Sequence, residues 1–235
     1  NLVARGLMVQ LGNNIYGCFD MDLLRWSLGF ESSTLPVGQL SQVSYHDFFN
    51  KANKVPKIKG NVIFANGIYP GGSINQTIYG EVRSEDQCRS GFCWGALPSS
   101  YGRWEGIYIW GKQAILSYSI GSVSIHEIPG SILSGFGSIF TRTVTVDSSS
   151  YPVYLNAAEV CGKETFVSDK GDWAYVRDGV SDSITAIAIK SINENPISVI
   201  SEKDKYLSVK FSPGSGYRSA TIFLWKGLLS NLQDF

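Results

Sequence analysis

Residues 106–128 read GIYIWGKQAILSYSIGSVSIHEI, three short runs in which apolar residues alternate with small or polar ones. The runs break at Gly111-Lys112 and Gly121-Ser122. Period-two alternation sends successive side chains to opposite faces of a strand, and a two-residue break that opens with Gly suits a tight hairpin turn. The stretch therefore predicts an antiparallel meander. SITAIAIK at 183–190 and ATIFLW at 220–225 alternate in the same way, as inner strands of a sandwich do.

Strand patterns recur outward from that stretch, at 3–11, 14–20, 23–29, 60–65, 106–110, 113–120, 122–127, 138–146, 152–160, 173–177, 184–190, 197–201, 206–211 and 219–226. Gly, Asn, Asp, Ser and Pro clusters separate them. No segment keeps a 3.6-residue apolar period, so helix is expected only near 45–51 and in the tail 227–235. The fold class that follows is all-β, a two-sheet antiparallel β-sandwich. Strand count does not separate it from the supersandwich of mutarotase-like proteins. Segments 30–59 and 66–104 are read as long loops at the ends of the sheets, where function concentrates.

At 235 residues the chain is within the range of a single large β-sandwich, and we read 1–235 as one domain. It begins at Asn1 without a Met or a hydrophobic leader, the expectation for a piece of a longer multidomain chain. Twenty basic residues balance twenty acidic ones with no basic cluster, which removes the electrostatic footprint of a nucleic-acid binder. No apolar run approaches the ~18 residues of a membrane span.

Four cysteines allow three full pairings. Cys88 and Cys93 flank Arg89-Ser90-Gly91-Phe92, a loop a disulfide can close, which would leave Cys18 and Cys161 either to pair across two strands or to stand as buried small hydrophobes with free thiols. The spacing CRSGFC is not a zinc or haem-attachment motif. Asn75-Gln76-Thr77 is a glycosylation sequon.

The segment CFDMDLLRW at 18–26 places two carboxylates and a guanidinium in an apolar run. Read as one strand over 15–29, it sends Asp20, Asp22 and Leu24 to one face and Phe19, Met21, Leu23 and Arg25 to the other. Asp20, Asp22 and Arg25 are thus a candidate polar cluster for sugar hydroxyls, a hard cation or acid/base work, weighed against a structural ion pair. Arg103, Trp104 and Glu105, with Tyr108 and Trp110, combine ring stacking with a carboxylate. Trp94 and Tyr101 lie in or beside the long polar loop. His126 and Glu127 end a meander strand, where a lone His is more often an edge residue than a base. No G-x-S-x-G elbow and no phosphate-binding Gly loop occur.

CFDMDLLRWSLGF at 18–30, NVIFAN at 61–66 after Gly60, YGRWEGIYIWGKQAILSYSIGSVSIHEIPG at 101–130 and FTRTVTV at 140–146 resemble successive blocks of an uncharacterised domain in very large secreted bacterial proteins. Leu224-Trp225-Lys226-Gly227 fits the same pattern. The resemblance implies neighbours of the sorbosone- or glucose-dehydrogenase-like propeller and c-type cytochrome kinds. The chain departs from it at 31–59, where His46 is the only histidine of a stretch otherwise rich in Gly and His, and in the Cys88–Cys93 loop.

These readings converge on a non-catalytic carbohydrate- or partner-binding module of a secreted or periplasmic bacterial protein, with no cofactor in this chain. Its expected ligand residues are Asp20, Asp22, Arg25, Trp94, Arg103, Trp104 and Glu105, and its partners carbohydrate or neighbouring domains of the same polypeptide. One alternative is a carbohydrate-active enzyme, which requires Asp20 or Asp22 within ~10 Å of Glu105 or Glu127 in an open cleft. Another is a spacer docking a redox propeller, which requires a broad exposed apolar patch.

Overall fold

The computed structural model describes residues 3, 5–12, 14–33, 60–89, 92–179, 181–193 and 197–234. The first part supplies β1 (Gly6–Gln10), β2 (Ile15–Asp20), β3 (Arg25–Glu31), β4 (Asn61–Ala65) and β5 (Gly72–Ile74), then a short ribbon of β6 (Cys88–Arg89) and β7 (Phe92–Cys93). The middle supplies β8 (Gly102–Trp110), β9 (Gln113–Ile120), β10 (Val123–Ser134), β11 (Gly137–Val146) and β12 (Val153–Glu159). The last are β13 (Gly162–Val167), β14 (Trp173–Asp178), β15 (Ser183–Ser191), β16 (Ile197–Glu202), β17 (Tyr206–Phe211) and β18 (Arg218–Leu228).

The chain is an antiparallel β-sandwich. One layer is an eight-stranded sheet in the order β13-β14-β15-β18-β11-β10-β9-β8. The other comprises two four-stranded sheets, β1-β2-β3-β4 and β16-β17-β12-β5, covering one face of the large sheet. The predicted meander is β8-β9-β10, and Gly111 and Gly121 take φ of 60° and 57° at the first central positions of its two turns. A β-carbon is disfavoured there, which is why Gly marks both breaks.

Alternation along β11 shows how the layers divide. Phe140, Val144 and Val146 enter the common core with Trp26, Leu116, Leu155 and Val209, while Ile139 points the other way onto Trp225. Asn66 joins the two smaller sheets, its Nδ2 donating to the carbonyls of Trp26 at 2.9 Å and Ala157 at 3.1 Å.

Several expectations change. Residues 15–29 are a hairpin, with β2 and β3 joined through residues 21–24, so the alternation that put Asp20 and Asp22 on one strand face does not apply. Leu24 turns the chain at φ 54°. The segment 66–104 is structured by β5, the β6–β7 ribbon and a 3-10 turn at Glu85–Gln87. The tail holds strand to Leu228 before a 3-10 helix over Leu229–Asp234. The expected turn near 45–51 and His46 lie outside the described residues. Cys88 and Cys93 form the disulfide, whereas Cys18 is a buried thiol and Cys161 an exposed one, so those two do not pair.

Candidate functional site

The hairpin turn is organised by Asp20. Its Oδ1 accepts the backbone N–H groups of Asp22 at 3.1 Å and Leu23 at 3.3 Å, a local carboxylate turn that competes well with regular strand. Its Oδ2 faces Arg25 Nε at 3.3 Å and Nη2 at 3.2 Å. Arg25, 1% exposed, also donates through Nη1 to the carbonyls of Asn66 and Gly67. Burial lowers the Arg25 pKa and the Asp20 charge opposes that shift. The buried Asp22 carboxylate accepts from Arg5 at 3.1 Å; burial raises its pKa and Arg5 works against the rise. Asp20 and Arg25 are therefore turned inward to hold the turn, and the buried Asp22 carboxylate beside them is tied to Arg5.

The excursion after β5 closes over this turn. Leu97 N–H donates to the Asp22 carbonyl at 2.9 Å, and Arg83, clamped by Glu81, reaches the Gly95 carbonyl at 3.0 Å. Trp94 sits on that excursion, 44% exposed. Gly71 passes so close to the turn that a β-carbon there would lie 2.0 Å from the Leu24 carbonyl oxygen.

Glu127 occupies the centre of the sandwich, fully buried. Its Oε1 accepts from Trp26 Nε1 at 2.5 Å and Arg142 Nε at 2.6 Å, and its Oε2 from Tyr118 at 2.8 Å and Arg142 Nη2 at 3.0 Å. Arg142 continues to the Asn156 carbonyl at 3.1 Å. Burial and the Glu127 charge hold the Tyr118 phenol well above its usual pKa, so it stays a donor. One carboxylate thus ties the large sheet to the smaller sheets through β3 and β12. Asp20, Asp22 and Glu127 are all closed to solvent, and the open carboxylate cleft an enzyme would need is not formed by them.

Strand β8 is different. Up to Trp104 its register sets Arg103 opposite Ser119 and Trp104 opposite Tyr118, so Trp104 packs inward on Phe19 with ring centroids 5.5 Å apart. A bulge at Glu105 then resets the alternation, placing Gly106, Tyr108 and Trp110 opposite Ser117, Ile115 and Gln113. Without it Tyr108 and Trp110 would fall on the face of Trp104. With it they join Arg103 and Glu105 on the outer face, and Glu105 accepts from Ser117 Oγ at 3.0 Å. Trp110 is 76% exposed and Tyr108 58%, and among the described residues β8 is an edge strand. The sequence already groups Arg103, Glu105, Tyr108 and Trp110 with Trp104; the bulge, which has no reliable sequence signal beyond Gly106, is what turns Trp104 away from the other four.

Two concavities lie elsewhere. One of about 380 Å³ is lined by charged and small residues around Arg177, and one of about 230 Å³ includes Phe64, Glu159, Cys161 and Lys226. Among the described residues, no three His, Cys, Asp or Glu side chains gather as a metal site, and no helix is long and apolar enough to cross a membrane.

No curated protein matches the sequence. Three solved structures align loosely: a heparinase III (10% identity, 53% of this chain and 21% of that one, TM-score 0.34), the heparan sulfate lyase HepC from Pedobacter heparinus (10%, 54% and 22%, 0.34), and a 4-alpha-glucanotransferase from Thermococcus litoralis (10%, 95% and 40%, 0.41). The chain thus spans between about a fifth and two fifths of those proteins, and alignments this loose carry no functional reading. The family described as a domain of unknown function, DUF6797, matches residues 17–127, which run from β2 to Glu127.

Proposed function

We propose that the chain is a non-catalytic binding module whose ligand, a carbohydrate or a neighbouring domain, is held on the outer face of β8. The observation that carries this reading is the Glu105 bulge, which gathers Arg103, Glu105, Tyr108 and Trp110 on one exposed face. Rings that stack and charged groups that fix hydroxyls are the two elements a sugar site needs. Trp94 is an outlying ring of the same proposal. Asp20, Asp22 and Arg25 serve it from beneath, by fixing the turn on which the Trp94 excursion rests, and Trp104 serves it as the inward anchor of β8.

The partner-domain reading is favoured by a separate observation. Ile107 and Ile109 stand on the other face of β8, 39% and 70% exposed, on a strand that is an edge of its sheet among the described residues. A secreted or periplasmic setting within a larger polypeptide fits the Cys88–Cys93 disulfide, since such bonds persist in oxidising compartments.

A glycan array probed with the wild-type chain and with Tyr108→Ala/Trp110→Ala tests the site. At least a tenfold loss of glycan binding in the variant is expected. Glycan binding that survives the double substitution removes β8 from the proposal. Loss of cross-linking to a flanking domain in Ile109→Lys, with glycan binding absent, selects the partner reading instead.

A further inference from the structure

A second aromatic surface lies at the opposite edge of the large sheet. On β14, Ala174 and Val176 are buried in the core, so Trp173, Tyr175 and Arg177 point outward. Register sets Phe166 of β13 opposite Tyr175, and Glu164 opposite Arg177. Two of the three ring pairs are stacked and the third is tilted. Phe166 lies 4.8 Å from Trp173 at 33° and 5.6 Å from Tyr175 at 16°, and Trp173 lies 6.3 Å from Tyr175 at 20°.

One register step along the same face, the character changes from aromatic to polar. Arg177 is held between Glu164, at 3.5 Å, and Asp182. The adjoining depression of about 380 Å³ is lined by Lys163, Glu164, Arg177, Asp178, Ser181 and Asp182, with Gly179 as its remaining wall. Nothing apolar lines it.

We propose that this face of β13 and β14 is a binding site for a chain of neutral pyranoses. A pyranose has an apolar C–H face that suits the rings and a rim of hydroxyls that suits fixed carboxylates and guanidinium donors. A protein partner would want an apolar anchor pocket, which the depression lacks. Two cations against three carboxylates also leave the rim slightly negative, which disfavours a polyanionic glycan. The site is independent of β8. Among the described residues the two lie on opposite edges of an eight-stranded sheet, ~34 Å apart along it at ~4.8 Å per strand step.

Affinity electrophoresis of the 235-residue chain through gels containing xyloglucan, glucomannan or dextran tests this, with polygalacturonate as the anionic comparator. At least one neutral polymer is expected to retard the wild type. Measured in a Tyr108→Ala/Trp110→Ala background, which removes any contribution of β8, Phe166→Ala/Trp173→Ala and, separately, Arg177→Gln should each weaken that retardation tenfold or more. Retardation by polygalacturonate alone, by no polymer at all, or undiminished in the folded Phe166→Ala/Trp173→Ala variant overturns the proposal. If that variant does not give a native far-UV circular dichroism spectrum, Arg177→Gln decides, and its unchanged retardation overturns the proposal equally. Loss of retardation in Tyr108→Ala/Trp110→Ala alone assigns the glycan to β8 and overturns this site only.

Discussion

The Glu127 carboxylate takes two nitrogens of the Arg142 fork, Nε at 2.6 Å and Nη2 at 3.0 Å, with neither side chain more than 2% exposed. Such a pair adds little over an apolar replacement of the same volume, because both ions leave water, but a lone survivor is costly. In Arg142 burial works against the cation, and the Glu127 charge and hydrogen bonds outweigh it, raising the pKa.

Removing one partner is therefore the severe change. Arg142→Met and Glu127→Leu should each lower unfolding stability by about 3–5 kcal/mol, measured in urea. The double variant should lose clearly less than the two single losses added. Additive losses would show that the two side chains act separately.

Asp22 gives a pH signature. Its folded pKa is raised by burial, so the folded state holds its proton to higher pH than the unfolded chain does. Wild-type stability should then fall, relative to Asp22→Asn, as pH rises from the ordinary aspartate range to the raised value. Arg5→Ala should widen that window, since Arg5 is the main influence opposing the rise. A difference that grows in the other direction with pH contradicts the assignment.

Thiol chemistry should divide the cysteines cleanly. Cys161 is exposed, Cys18 is buried with its pKa pushed up by desolvation, and Cys88 and Cys93 are joined. Without reductant, the native chain should take up one equivalent of a thiol reagent quickly, and a second only after unfolding. Two fast equivalents would place Cys18 at the surface.

The meander was legible because Gly111 and Gly121 coincide with breaks in a strict alternation. The turn at 21–24 was not, because its residues are Met, Asp and two leucines, and Leu24 adopts a left-handed conformation that the sequence does not announce. Glu127 read as a strand end beside Pro129, since nothing local says that Trp26 and Arg142 will meet it. Strand β13 went unseen because GKETFV is an edge strand with polar residues among its apolar ones, and so Phe166 was never placed beside Trp173 and Tyr175. Among the candidate ligand residues, charge pattern found the Asp20–Arg25 cluster but could not tell its inward direction, which is set by the carbonyls of Asn66 and Gly67 more than forty residues away.

The central carboxylate also constrains the order in which the chain can fold. Glu127 leaves water only when its donors are present, and besides Tyr118, nine residues earlier, these come from Trp26, 101 residues earlier, and Arg142, 15 residues later. The local meander can form while the polypeptide is still emerging from the ribosome, yet it cannot be sealed until synthesis has passed residue 142 and the first hairpin has returned across the sheet. Closure over such a separation makes for slow, all-or-none assembly. The two layers consequently mature together, and a fragment begun after Trp26 would carry the large sheet with a hydrogen-bond acceptor at its heart left one donor short.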